Sequence, residues 1–338
     1  MPGGTVIRPL AAVACLLFAT CAVAQDSTAL LKEKTLPSPG RPQSIKDGVQ
    51  IQKPQLEDYV AMLDNLPLTA PAKPKQPRKL LILCKAAGFF HSSIPLAAET
   101  VKAMGEKTGA YTATITYDSA DINAANLANY DGIFLDSTTL EFLGDPKDPA
   151  TDARKKALMD FVRSGHGIAG IHAAGDTYHT VPARGSNDKP QGTWPEFNKM
   201  IGGFFKFHWV YPQPVWVKID DPKSPLTAMF HGREFEVHDE IYTFLQESFS
   251  RKNVHVLTSV DYSKMSAEDK AKEPAATKRT DGDYALSWIH REGKGRVFYE
   301  ALGHSEHIYA MTPIMTHVLA GIQYTLGDLP ANDAPSEK

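Results

Sequence analysis

The stretch "GIAGIHAAGDT", residues 167–177, decides how this chain is read. An apolar run of five residues stops abruptly at His172, in a turn lined by glycine and alanine. A strand that ends in a turn of small residues is where many α/β enzymes present a nucleophile, because small neighbours let the backbone strain and expose one side chain. Here the exposed position holds an imidazole, with Asp176 and His179 close behind. No Cys or Ser stands at the turn, so covalent acyl chemistry lacks its nucleophile. Imidazole and carboxylate at one strand end suit general acid/base work or metal binding instead. The bland alternative is a histidine hydrogen-bonded in its loop.

The segments around this turn alternate between strand and helix. "KLLILC" from Lys79 is a continuous apolar run, as expected for a central parallel strand covered on both faces. Ile94, Ala97, Ala98, Val101 and Met104 form a helical stripe closed by Gly109. "YTATITY" and "GIFLD" read as further strands, and "RKKALMDFVRSG" as the helix leading into residues 167–171. This order predicts an α/β fold with a doubly wound, mainly parallel sheet flanked by helices, whose functional residues lie outside the carboxyl ends of the strands. After Trp194 the chain becomes strand-rich, with a Gly293-Lys294-Gly295 hairpin, a charged loop-like insertion at 264–278 and a closing helix over 312–326.

Residues 1–24 differ from the rest. Arg8 is the only charge, Leu10 to Phe18 is apolar, and Ala22-Val23-Ala24 precedes Gln25, the pattern of a secretory signal peptide. The protein is therefore expected in the periplasm or outside the cell. Cys21 makes a poor lipid-anchor site because Thr20 before it is large. Removing 1–24 leaves Cys84 as the one cysteine, so no internal disulfide supports the core. Residues 25–78 read as a Pro-rich arm with one short helix around Leu56–Leu63, residues 79–327 as the domain, and 328–338 as a flexible tail. The formal charge of −3 carries no basic block, which excludes nucleic acid as an expected partner. No later stretch is apolar for long enough to be a transmembrane segment.

Polar residues recur at the strand ends. "GFFHSSIP" offers His91, Ser92 and Ser93 ahead of a helix, either as ligand contacts or with one serine as N-cap. "FFKFHWVYP" offers Lys206, His208 and Trp209, where aromatic faces beside polar tips suit sugar rings or simply fill a core. In "HDEIYTF" Asp239 and Glu240 are adjacent, so a strand turns only one of them to a given side. In "ALGHSEH" His304 follows an apolar strand, with Glu306 placed to orient it. His255, His290, His307 and His317 read as surface or hairpin histidines. No HExxH, CxxC or phosphate-binding loop is present, so spacing alone names no metal.

Taken in order, "GFFHSSIP", "GIAGIHAAGDT", "W..F..MIGGFFKFH", "DEIYTF" and "GKGRVFYEALGH" resemble the ThuA-like (trehalose-utilisation) family over about Lys79 to Leu326. The resemblance implies a class I glutamine amidotransferase-like fold, in which a G-x-C-x-G turn supplies a Cys paired with a later His-x-Glu. This chain keeps His304-Ser305-Glu306 but has His172 at the Cys position. It also implies a small carbohydrate ligand, including oxidised (3-keto) disaccharides. The leading expectation is an exported enzyme acting on a sugar or keto-sugar by acid/base or metal-assisted chemistry. His172 serves as base or ligand, His304 as acid or ligand oriented by Glu306, and His91, Ser92, Asp176, Lys206, His208, Trp209, Asp239 and Glu240 bind substrate. A divalent metal such as zinc would be held among His172, His304, His91 and His208. The rival reading is a non-catalytic sugar-binding protein on a scaffold that has lost its nucleophile. N-terminal sequencing of exported protein is expected to begin at Gln25, and material still carrying Met1 contradicts the signal-peptide reading.

Overall fold

The computed structural model describes Met1, Gly3, residues 41–183 and residues 186–337. The expected signal peptide and the start of the arm lie outside the described residues. β1 (Ile45–Lys46) and β2 (Val49–Gln50) form a small antiparallel hairpin in the arm, followed by α1 (Leu56–Asp64). The apolar runs then become β3 (Lys79–Leu83), β4 (Thr112–Thr116), β5 (Gly132–Asp136) and β6 (Gly167–Ile171). The strand-rich half supplies β7 (Phe205–Ile219), β8 (Phe235–Phe244), β9 (His255–Val260), β10 (Ala285–Glu292) and β11 (Gly295–Glu300). Between them lie α2 (Ile94–Thr108), α3 (Pro149–Ser164), α4 (Pro195–Ile201) and finally α5 (Thr312–Thr325).

One nine-stranded sheet runs in the order β4-β3-β5-β6-β11-β10-β9-β7-β8. The pairs from β4 to β11 are parallel, and those from β11 to β8 are antiparallel. Alternating directions leave only β7 and β10 running against the rest, so the sheet is mixed but mainly parallel. β3 beyond Lys79, β5 and β6 are buried along their length, whereas the edge strand β4 stays partly exposed and β7 alternates between buried and exposed positions. That difference is the usual mark of strands covered on two faces and on one.

Two glycines of β6 show how the helices are laid on. A Cβ at Gly167 would come within 2.6 Å of the Thr325 carbonyl oxygen in α5. A Cβ at Gly170 would meet Ala174 at 2.9 Å and Ile201 of α4 at 3.2 Å. Residues 167 and 170 face opposite sides of a strand, so α4 and α5 cover opposite faces. The sheet is therefore flanked by helices on both sides, as the α/β alternation predicts.

The structure differs from the sequence reading in several places. Neither serine before α2 caps it through its side chain; Ser93 Oγ donates to the Gly303 carbonyl at 3.0 Å instead. The 264–278 insertion contains a short helix, Ala267–Ala271, and buries Glu273. The expected tail makes specific contacts within residues 328–337, with Ala334 O against His255 Nδ1 at 2.8 Å and Ser336 Oγ accepting from Val256 N at 2.9 Å. His255, His290 and His317 are buried rather than superficial. His317 bridges Leu226 O and Ser287 Oγ, and His290 bridges Arg291 O and Met200 O. Their burial is tolerated because each ring is hydrogen-bonded; a neutral His290, with a carbonyl at each nitrogen, donates to one of them.

Gly167→Ala is expected to lower unfolding stability by about 1–3 kcal/mol, because the obstructing atom is backbone and cannot swing away. Denaturant titration reads this directly, and an unchanged midpoint would contradict the close α5–β6 packing.

Candidate metal centre

Because β3, β6 and β11 run in parallel, the chain leaves each at the same sheet edge. His91 lies in the loop after β3, His172 directly follows β6, and His304 sits beyond β11. β8 runs in the same direction and brings Glu240, while His208 stands near the start of antiparallel β7. The five side chains converge. The ring centroids of His91, His172 and His304 lie 4.7, 5.2 and 5.4 Å apart in pairs. Glu240 Oε2 is 3.1 Å from His304 Nδ1, 3.3 Å from His172 Nε2 and 3.9 Å from His91 Nε2. Its other oxygen, Oε1, lies 3.1 Å from His208 Nδ1.

The position of His172 is imposed by strain. Its φ is +45°, a left-handed conformation that costs a non-glycine residue about 1–2 kcal/mol. Small neighbours make room: a Cβ on Gly175 would strike Tyr299 Oη at 2.7 Å. Two bonds then fix the residue, as Tyr299 Oη donates to the His172 carbonyl at 2.5 Å and His172 Nδ1 lies 2.9 Å from Ala301 O. A carbonyl only accepts, so Nδ1 carries the hydrogen and the neutral ring turns an unprotonated Nε2 toward Glu240. That leaves a lone pair facing a carboxylate, an arrangement that needs a proton or a cation between them. Backbone anchoring of the far nitrogen is also how metal-ligating histidines are commonly oriented.

Electrostatics follow from burial around one carboxylate. Burial alone pushes Glu240 up, but the hydrogen-bonding imidazoles outweigh it and hold the group well below the usual carboxylate range. Burial pulls His91 down to about 3, against the pull of Glu240, and lowers His208 as well. His304 goes the other way: burial lowers it, but the Glu240 hydrogen bond and charge prevail and raise it. One buried carboxylate thus favours the charged form of His304, while burial disfavours it at His91 and His208. Apart from their approach to Glu240, His172 Nε2, His304 Nδ1 and His208 Nδ1 have no hydrogen-bond partner, and His91 Nδ1, on the far side of its ring, is buried without one.

His91, His172, Glu240 and His304 each offer a donor atom, and these four atoms lie within 4.8 Å of one another. Donors at about 2.1 Å from a shared ion are at most about 4.2 Å apart, so ligation requires the set to contract slightly. Imidazole with carboxylate suits zinc and other first-row divalent ions. His208, expected as a ligand, stands outside this group, and Glu240 takes its place.

Other expected site residues have different positions. Asp239 is buried and its carboxylate accepts from Gly303 N (2.7 Å), His304 N (3.3 Å) and Ser305 N (3.1 Å), so it holds the His304 loop and is not free for substrate. Glu306 does not orient His304; it lies against Ser92 and 3.9 Å from Arg41 Nε, because its turn carries it away from the cluster. Asp176 pairs with His179 Nε2 at 2.6 Å beside the cluster. Lys206 is a correction: its amine forms a buried ion pair with Glu273 and donates to Thr277 O. The cause is a bulge, since β7 and β8 shift register between Phe205 and Phe207, leaving Lys206 without an opposite partner. Beyond the bulge His208 shares a face with Phe205, 5.7 Å away ring to ring, and Trp209 turns into the core with its indole N–H on Asp269 O. The sequence reading missed Tyr242, packed 4.2 Å from the His172 ring, and Tyr299; only their place in buried strands marked them.

The ThuA family model, described as trehalose utilisation, matches residues 79–325. The chain belongs to that family. Two solved ThuA-like proteins share the fold. One, from Bacteroides uniformis, is 21% identical with a TM-score of 0.55, the match covering 74% of this chain and 93% of the other. One from Parabacteroides merdae is 16% identical with a TM-score of 0.53, covering 76% and 93%. No curated protein sequence matches the chain significantly. No helix among the described residues is long and apolar enough to cross a membrane.

The metal-free protein is expected to lose stability as pH falls below about 6.5. His91 and His208 have folded pKa values below their unfolded ones, so the unfolded chain binds more protons there and each group costs up to about 1.4 kcal/mol per pH unit. His304 acts in the opposite sense, contributing stability below about 6.5 that is lost as pH rises through its raised value. His304's contribution is constant below about 6.5, so His91 and His208 set the slope and denaturant midpoints should fall between about pH 6.5 and 4.5. A rise over that range would contradict the buried neutral imidazoles.

Proposed function

We propose that this ThuA-family protein is an exported, divalent-metal-dependent enzyme acting on a sugar or 3-keto-glycoside. The observation that carries the reading is the convergence of three buried imidazole nitrogens on one oxygen of Glu240. The sugar class is supported by the family's description, and by the rings that line the cluster. Phe89 packs on His91 at 4.7 Å, and Tyr211 stacks on His304 at 5.8 Å. Such faces suit the C–H side of a pyranose. Export is supported by the composition of residues 1–24.

His91, His172, His304 and Glu240 would hold the ion, with zinc as the natural first candidate. The chemistry such an ion supplies when bound is Lewis-acid polarisation of a carbonyl or hydroxyl oxygen. His208 is left for proton transfer. It lies on the other oxygen of Glu240, its side chain is one-third exposed, and burial lowers its pKa so that it meets substrate unprotonated. A carbonyl beside the reacting carbon makes proton abstraction by such a base affordable, and the same group can return the proton elsewhere. Isomerisation and elimination use these roles directly. Hydrolysis uses them if His208 deprotonates water.

Elemental analysis of purified protein, followed by a screen of glycosides and their 3-keto forms, tests the reading. About one divalent ion per chain is expected. His172→Ala should fold, lose the ion and lose turnover by ~10²–10⁴, whereas His208→Ala should keep the ion and lose turnover in the same range. Full activity in metal-free protein would overturn the metal role. Sugar binding without turnover of any substrate would make the chain a binding protein.

A further inference from the structure

The loop that carries His91 is held from two sides, and only one of them belongs to the family-matched region. From within the domain, Thr139 Oγ1 accepts from Ala87 N at 3.1 Å and Gly88 N at 2.7 Å. A second set of contacts comes from the arm, upstream of residue 79. Ser44 N donates to Phe90 O at 2.9 Å, and Ser44 Oγ donates to the His91 carbonyl at 2.7 Å. Gln43 Oε1 accepts from Phe90 N at 3.2 Å. Gln50 clasps the start of the loop, donating to Cys84 O at 2.6 Å and accepting from Ala86 N at 3.4 Å.

The arm also reaches the second histidine loop. Arg41 Nη2 pairs with Glu57 at 2.7 Å and Asp58 at 2.8 Å, and Arg41 Nε lies 3.9 Å from Glu306, two residues beyond His304. The segment is fixed at its far end as well, where Thr312 Oγ1 at the start of α5 donates to Asn65 O at 2.7 Å. Ser44 is 3% exposed, so its bonds to Phe90 and His91 are sheltered from competing water.

We infer that residues 41–50 are a working part of the metal centre, with Ser44 as a positioning residue that sets where His91 stands. The inference rests on the metal reading proposed above. A buried loop backbone needs partners for its polar groups, and here the arm provides them at the residue that carries a ligand. Outer partners of metal ligands commonly change affinity by 10–100-fold when removed. Linkage makes the effect reciprocal: if the arm favours the ligating position of His91, a bound ion must favour the docked arm by the same factor.

The test uses the full chain and zinc alone, with a chromophoric chelator as competitor. Ser44→Ala is expected to weaken zinc at least about 10-fold. In the unaltered protein, zinc should slow amide hydrogen exchange at Ser44 and Ile51, whose N–H groups are bonded to Phe90 O and Ser44 O. The exchange measurement stands even if Ser44→Ala fails to fold. Equal zinc affinity in both proteins, or exchange at 41–51 that ignores zinc, would overturn the inference and leave the metal reading intact. Failure of the unaltered protein to bind zinc or another first-row divalent ion would overturn both.

Discussion

The site depends on a single buried carboxylate. Glu240 is pulled from water in a place where only imidazoles can compensate it, and an unpaired carboxylate there would cost several kcal/mol. The sheet answers this by delivering histidines from three parallel strand ends and one antiparallel strand to the same carboxylate. Those residues span more than two hundred positions in sequence, so the cluster exists only if the strand order is correct. The neighbouring carboxylate has the opposite task. Asp239 turns to the other side of β8 and gathers three backbone N–H groups of the 303–305 loop. Adjacent acids on one strand thus build the centre and the loop that completes it.

The left-handed His172 is the second constraint. In an elbow of this kind the strain lifts one side chain above the sheet, and the glycines and alanines around it are required by space. Tyr299 and the Ala301 carbonyl offset the strain and select the ring tautomer at the same time. Both come from β11 or the residue just after it, the strand that also leads to His304. Register between β6 and β11, with Glu300 opposite Ile171, therefore fixes two of the three imidazoles together.

This division explains what was legible in the sequence. Buried parallel strands announce themselves as unbroken apolar runs, and a histidine after such a run must emerge at the sheet edge; His91, His172 and His304 were readable for that reason. The carboxylate partner was not. Glu306 stood two residues from His304 and fitted the expected His-x-Glu pairing, but a 3₁₀ turn from Glu306 to Ala310 carries it toward Arg41. Which of Asp239 and Glu240 faced the histidines depended on tertiary register. Lys206 and Trp209 were grouped with the site by residue type alone, and the bulge between Phe205 and Phe207 that directs them elsewhere leaves no mark in the sequence. The arm's hairpin is two residues a side, too short to leave a periodic signal.

Charge at the centre narrows what it can favour. With the three imidazoles in the neutral form that ligation requires, the carboxylate leaves the set at −1, so a divalent ion would bring it to +1. Asp239, although its oxygens accept backbone N–H groups, keeps its charge and offsets part of this beside His304, while Asp176 is paired with His179, whose pKa burial lowers but Asp176 raises on balance. A neutral sugar bound there gains little from that charge, whereas an oxygen that becomes anionic during reaction gains more from it. An enediolate formed beside a carbonyl has that character, and an intact unoxidised ring does not. Within the proposed metal reading, that charge is an argument for a keto-sugar over a simple glycoside.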